Sequence, residues 1–224
     1  MSFPRTAELA ADPRVRRGME AQLELRRRRL AAGDQPLGWK VGFGTPQAFE
    51  TLGTGAPLVG FLMRSALAPS GALYSIDGFT GPALEPEVAV RVGEGGAAAA
   101  LGPAFEIADV APPVDDVERI LAGDIFQRGV VLGPVVQRPS LEGASARVVV
   151  NGEERQVDDP EALPGRIPDV LAHVAAFLPE FGEELRPGDV VITGSIVPPL
   201  QVGPGDRVEY ELAGFGGVSI SFTS

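Results

Sequence analysis

Cysteine is absent from the 224-residue chain, and histidine occurs once, as His173. The first absence excludes disulfides, zinc–thiolate sites and thiol catalysis. The second excludes metal sites built on several imidazoles. A metal held by this chain would therefore sit mainly among oxygen ligands, the preference of Mg2+, Mn2+ or Ca2+. Positive charge is also scarce: 19 Lys and Arg stand against 30 Asp and Glu, for a net charge of −11. Nucleic acid is not an expected partner, because its footprint is a concentrated basic surface. No apolar run reaches the roughly 18 residues of a membrane span. The N-terminal stretch MSFPRTAELAADPRVRRGME has no apolar core of a secretory signal. A soluble, cytoplasmic protein without a membrane partner is the expectation.

The composition that remains, 44% hydrophobic and 22% charged, is enough for one sizeable core. Val15, Met19, Leu23 and Leu30 recur at helical spacing, which predicts a helix over 14–32. Its basic run Arg26–Arg29 reads as a solvated face balanced by Glu20 and Glu24. From Gly38 onward, glycine and proline punctuate short β-rich runs. A second helix is predicted near Asp115–Leu121, capped by Asp115 or Asp116. RGVVLGPVV reads as a buried strand, and ARVVVNGEERQV as a hairpin turning at Asn151-Gly152. IPDVLAHVAAFLPEF reads as a third helix, with Pro168 and Asp169 in its first turn. His173 lies on the shoulder of its apolar stripe and is expected to be packed rather than a ligand. GEGGAAAALG reads as a plain connector. The expectation is an α+β fold with few helices: an N-terminal helical segment over 1–36 and a single β-rich catalytic domain over 37–224.

One strand breaks the ordinary pattern. In LEPEVAVRV, residues 84–92, Glu85 and Glu87 are two apart and share a strand face, while Leu84, Pro86, Val88 and Val90 take the other. Two parallel carboxylates repel unless a proton, a base or a metal ion lies between them. By itself the pair reads most simply as a solvated strand face. Glu106, in PAFEIADV, alternates with Phe105 and Ile107 and adds a third acid. Three such carboxylates supply three oxygen ligands to a hard dication and leave positions open for water or a chelating substrate.

GWKVGF, LEPEVAVRVG, PAFEIAD and the tail GDVVITGSIVPPLQVGPGDRVEYELAGFGGVSISF together resemble the fumarylacetoacetate hydrolase superfamily. The resemblance runs from about Arg26 to the C-terminus. It is nearest to the branch of 2-keto-4-pentenoate hydratases and 4-oxalocrotonate decarboxylases. It implies a mixed β-sandwich roll, a Mg2+ or Mn2+ ion held by Glu85, Glu87 and Glu106, and an active-site lysine at Lys40, in a loop before the metal strands. Thr193, Gly194 and Ser195 match the segment beside the bound keto acid. A homo-oligomer, dimer or larger, in the catabolism of aromatic compounds is implied as well.

The implied chemistry is that of a 2-keto acid acted on through a metal-stabilised enolate, most simply by a hydratase-like lyase. Decarboxylation, acylpyruvate-type hydrolysis or a silent keto-acid-binding paralogue are the alternatives. Hydrolysis ranks lower, because His173 does not fall where the family's water-activating histidine does. Two departures stand out. Leu58 occupies the place of an aspartate common in the hydratase branch. Ile125 and Phe126 replace small residues before the central strand, where Asp124, Gln127 or Arg128 can supply the missing polar contacts. An apolar distal pocket, and Gln127 and Arg128 as substrate-binding residues, are the resulting expectations.

Overall fold

The computed structural model describes Phe3 and residues 5–224; residues 1, 2 and 4 of the expected helical segment lie outside the described residues. Two helices come first, α1 (Thr6–Ala11) and α2 (Pro13–Ala31). Asp12 caps α2 by accepting from Arg14 N at 2.8 Å, and Pro13 fills the first helical position, where its missing N–H costs nothing. There follow β1 (Pro36–Gly42), α3 (Pro46–Leu52), β2 (Leu58–Met63), β3 (Leu67–Ala68), β4 (Ala72–Ser75), β5 (Pro82–Val92) and β6 (Ala98–Asp109). The remainder is α4 (Val117–Ala122), β7 (Gln127–Leu132), β8 (Ala146–Val150), β9 (Glu153–Val157), α5 (Ile167–Phe177), β10 (Val190–Ser195), β11 (Leu200–Gln201), β12 (Arg207–Leu212) and β13 (Gly216–Thr223).

The larger sheet has the order β2-β1-β10-β5-β6-β7-β3, with β11 added to β5. Its two edge strands are nearly consecutive in the chain. Only the 3-10 turn Arg64–Ala66 separates Met63 from Leu67. Seven strands laid flat would put those edges about 29 Å apart. A three-residue link spans at most about 14 Å. The sheet must therefore curl until its edges approach, and this makes the roll. One end of the roll's interior is plugged by Leu62, Ala89, Ala104, Val130, Val190 and Ile192.

The outer face of the roll is covered twice. The second sheet, β4-β13-β12-β8-β9, packs on it, with the Tyr210 and Phe105 rings 5.9 Å apart. In β12, Val208, Tyr210 and Leu212 are buried while Arg207, Glu209 and Glu211 are exposed, so one face of this sheet meets the core and the other meets water. The β8–β9 turn has positive φ at Asn151 (52°) and Gly152 (91°), as a two-residue hairpin of this type requires. Helix α2 covers β1 and β2. Gln22 donates to the Val59 and Leu121 carbonyls, and Gly18 lets α4 approach, since a Cβ there would lie 2.7 Å from Leu121 Cβ.

Several sequence expectations are corrected. Arg26 and Arg29 of the basic run are not simply solvated: their guanidinium groups stack over Trp39 and Phe61, at 5.0 and 5.3 Å. Ala98–Leu101, expected in a connector, open β6. Just beyond them Gly102 passes so close to Pro134 that a Cβ would lie 2.1 Å from its carbonyl oxygen. The third helix ends at Phe177 and passes into a 3-10 turn, Leu178–Phe181, that contains Pro179. Asp116, rather than Asp115, caps α4.

His173 ties α5 to the N-terminal helix. Nε2 lies 2.8 Å from the Pro57 carbonyl, which can only accept, so this nitrogen carries the proton; Nδ1 then accepts from the Thr6 hydroxyl at 2.8 Å. Burial holds the imidazole down at about 4. The unfolded chain binds the proton first, near 6.5, so His173 favours the folded state fully above that pH and loses its contribution as pH falls towards 4. The expected outcome is an acid-side stability loss on the order of 3 kcal/mol that His173→Gln removes. Urea titrations from pH 7 to 4 measure it; parallel curves for parent and variant would contradict a buried neutral histidine.

Candidate active site

The interior of the roll gathers acids from neighbouring strands. Glu85 on β5 and Glu106 on β6 are direct cross-strand partners, and Glu87 follows two residues on along the same face. One carboxylate oxygen from each lies within 4.8 Å of the others. Glu87 and Glu106 are buried and Glu85 half-buried. Like charges placed directly opposite destabilise a sheet, so this arrangement needs a counter-charge.

Within the protein that counter-charge is Lys40, the only lysine in the chain. It is buried and ion-paired with Glu106, and its ammonium lies 3.3 Å from the Ile125 carbonyl oxygen. It belongs to the interior of β1, not to a loop as the resemblance implied. Two strands, β10 and β5, separate β1 from β6 in the sheet. On a flat sheet the two backbones would be about 14 Å apart, beyond comfortable reach of this pair. They meet because the sheet curls, and the bond crosses the interior of the roll. Gly60, directly beside Lys40 on β2, makes the room: a Cβ there would lie 2.9 Å from Lys40 Cγ and 2.9 Å from Asp124 Oδ1.

The electrostatics follow from burial. Desolvation, then the Glu106 charge, pushes Glu85 up to about 7. Glu87 is driven well above the carboxylate range by desolvation first and by Glu106 and Glu85 next. Burial also raises Glu106, against the pull of Lys40. For Lys40, burial opposes the charge, but the surrounding carboxylates, Glu106 foremost, outweigh it and hold the ammonium above its usual range. Asp124, also buried, is pushed up to about 8 by desolvation.

Strand β10 supplies the border. Its pairing with β5 is interrupted between Ile192 and Ser195, and Gly194 there has φ 93°. This turns the Gly194 N–H onto Glu87 Oε2 at 2.7 Å. Glu87 Oε1 is buried and, among the described residues, has no hydrogen-bond partner, so the carboxylate is oriented with one oxygen free. Thr193 is buried and Ser195 lies opposite Glu87 in the ladder. Buried Pro164 packs over Gly194, 3.6 Å from where a Cβ would stand.

Gln127 and Arg128 part company. Gln127 is buried and, among the described residues, its amide nitrogen has no partner. Arg128 is exposed and turns to Asp109, 3.5 Å away, so the structure does not bring it to the acids. Leu58 is fully buried in the main core. Phe126 is nearly so, with its ring 6.5 Å from that of Phe43. The single histidine is held between α5, Thr6 and Pro57, away from this group. Gly60, whose missing side chain admits both Lys40 and Asp124, escaped the sequence reading. A lone glycine in an apolar strand gives no signal of what crosses above it.

Three oxygen donors, one free buried carboxylate oxygen and a backbone N–H that fixes the orientation form a donor set suited to a hard divalent cation.

Comparison with known proteins places this geometry. Residues 47–222 match the family model described as fumarylacetoacetate (FAA) hydrolase C-terminal. A 4-oxalocrotonate decarboxylase of Pseudomonas putida is 26% identical over 224 residues, covering 90% of this chain and 83% of that protein. A 2-hydroxyhexa-2,4-dienoate hydratase of Comamonas testosteroni is 27% identical over 222 residues, covering 90% and 83%. The fold matches that of the 4-oxalocrotonate decarboxylase from Pseudomonas putida G7 complexed with magnesium and adipate, with a TM-score of 0.83 at 24% identity, covering 92% of this chain and 84% of that one. The family model spans most of the rolled domain, both strands that carry the three glutamates and the β10 border: the chain belongs to the fumarylacetoacetate hydrolase family.

Proposed function

We propose that this chain is a divalent-metal-dependent enzyme acting on a 2-keto acid, with a hydratase-like lyase reaction as the leading assignment. The observation that carries the reading is the convergence of Glu85, Glu87 and Glu106 in a buried site where Lys40 pairs with Glu106. Names of relatives on both sides support it: hydratases and decarboxylases of short unsaturated keto or hydroxy acids recur among them.

The three glutamates would hold Mg2+ or Mn2+. When bound, the ion supplies positive charge against the carboxylate and 2-oxo oxygens of a keto acid, which favours loss of a proton from the neighbouring carbon. The chain's own residues do the rest. The Gly194 N–H keeps Glu87 oriented. Lys40, once Glu106 is engaged elsewhere, carries an ammonium able to pair with the substrate or give up a proton at Nζ. Thr193 and Ser195 would border the keto-acid head, and Ile125, whose carbonyl meets Lys40, would bring apolar surface beside it. Hydrolysis ranks below lyase chemistry because both ring nitrogens of the only histidine are committed, Nδ1 to Thr6 and Nε2 to the Pro57 carbonyl. A homo-oligomer, dimer or larger, in a cytoplasmic catabolic route for aromatic compounds belongs to the same proposal; the family resemblance supports it.

A second reading is a binding protein that keeps metal and keto acid without turnover. The fully buried Leu58, in place of the acid common in the hydratase branch, favours it. Deuterium exchange at carbon 3 of 2-oxopentanoate in D2O separates the two. The enzyme reading expects Mg2+-dependent exchange and turnover of 2-hydroxypenta-2,4-dienoate. Oxalate binding with neither exchange nor turnover would leave only the binding protein.

Two further outcomes follow from the site. Without metal, Glu87→Gln replaces a buried carboxyl that its surroundings already disfavour as an anion, and should leave stability unchanged or raised by about 1 kcal/mol. With Mg2+ at about 100 times its Kd the parent should gain about 2.7 kcal/mol and the variant almost none. Thermal melts with EDTA and with Mg2+ give both values, and equal Mg2+ stabilisation would contradict the ligand role. The second concerns the substrate tail. With Arg128 paired outside and Phe126 inside, the distal pocket should disfavour a second carboxylate. In competition at fixed Mg2+, 2-oxopentanoate should bind at least about tenfold more tightly than 2-oxoadipate, about 1.4 kcal/mol. The reverse order, abolished by Arg128→Ala, would show that Arg128 turns inward.

A further inference from the structure

The turn leading into β7 is strained beside the site. Asp124, Ile125 and Phe126 all have positive φ, at 55°, 52° and 65°, and none is glycine. Each left-handed residue of this kind costs on the order of 1 kcal/mol or more, and a β-branched isoleucine tolerates it poorly. The strain aims two oxygen groups at Lys40. The Ile125 carbonyl already accepts from its ammonium at 3.3 Å. The Asp124 carboxylate approaches it across Gly60, where a Cβ would touch both side chains. Asp124 Oδ1 accepts from Phe61 N at 2.9 Å. Its Oδ2 is buried and, among the described residues, accepts from nothing. A buried carboxylate oxygen without a donor is costly, and such groups are retained where something uses them.

We propose that Asp124 and the Ile125 carbonyl form the seat that receives the Lys40 ammonium when a divalent cation takes Glu106. The inference rests on the reading of Glu85, Glu87 and Glu106 as the cation's ligands. An ammonium and a dication repel strongly when they share one carboxylate in a buried site. Lys40 must then leave Glu106, and an ammonium stranded in the roll without a partner is costly. Asp124 Oδ2 supplies a charge-assisted partner within the same cavity. Asp124 is thus a positioning residue. It acts on the metal only through Lys40, and it leaves the ammonium beside the substrate rather than on a ligand.

The test is a double-mutant cycle read by calorimetric Mg2+ binding, with no need of activity. Lys40→Met removes the competing ammonium and should tighten Mg2+ at least about fivefold. Asp124→Asn keeps the acceptor for Phe61 but weakens the seat, and should loosen Mg2+ about tenfold. In the Lys40→Met background the same Asp124→Asn change should move affinity by less than about twofold. Equal loosening in both backgrounds would mean that Asp124 acts on the cation directly, and no loosening in either would mean that it holds nothing; both overturn the seat. Glu87→Gln is the control that separates this inference from the one beneath it. If Mg2+ binds parent and Glu87→Gln alike, or neither, the ligand assignment fails and the seat with it. If Glu87→Gln abolishes binding but the cycle shows no coupling, the seat alone fails. A measurement on the unsubstituted protein needs no variant to fold: with one lysine in the chain, carbon-13 at the lysine Cε gives a single side-chain signal. Saturating Mg2+ should shift it and strengthen its cross-relaxation to the Asp124 and Ile125 protons. A signal unmoved by Mg2+ overturns the seat.

Discussion

Lys40 and Glu106 pair across the inside of a rolled sheet, and the geometry of the whole domain is visible in that contact. The two residues start from strands separated by two others, so only strong curvature brings them together. The curvature follows from a short link between the edge strands β2 and β3. It is supported from within by a small apolar plug at one end and from outside by α2 and the second sheet. The same curvature concentrates acids. Four buried or half-buried carboxyls, from Glu85, Glu87, Glu106 and Asp124, face one ammonium, and desolvation pushes every one of those carboxyls upward. A protein selected only for stability gains nothing from such a cluster, since well-packed apolar side chains would serve the plug better.

The cluster is therefore the natural place for chemistry, and its parts divide by function. Carboxylates from β5 and β6 provide the oxygen donors. The β10 interruption gives Glu87 its orientation through a single backbone N–H. The β1 lysine supplies the positive charge that offsets the clustered carboxyls. The turn before β7 accepts backbone strain to place an oxygen near that lysine. Arg26 and Arg29, stacked on Trp39 and Phe61 of the strands that carry Lys40 and Gly60, brace the outer side of the same wall.

Much of this was legible in the sequence, for identifiable reasons. The period-2 alternation in LEPEVAVRV put Glu85 and Glu87 on one face, and local geometry carries that inference without a fold. The Asn151-Gly152 hairpin and the α2 and α5 stripes were legible on the same local grounds. The pairing of Glu85 with Glu106 was not, because register between strands is set by tertiary contacts. Nor was the strand character of Ala98–Leu101, because alanine is a weak β-former and pairing with β5 overrides that preference. Lys40 was singled out through family resemblance, but its burial and its partner depend on curvature, which no short window encodes. Arg128 and Gln127 are adjacent in β7, so alternation sends one to water and the other to the interior, and which of the two turns inward is set by tertiary pairing.

The central claim is that the three glutamates are a cation platform on which Lys40 stands in when no dication is bound. The most direct measurement is a crystal soaked with Mn2+ and oxalate, with anomalous scattering recorded to locate the metal. The account predicts one strong peak ligated by Glu85, Glu87 and Glu106 at about 2.2 Å, oxalate completing its coordination, and Lys40 no longer paired with Glu106. A metal bound elsewhere, or an unbroken Lys40–Glu106 pair beneath saturating Mn2+, would contradict it.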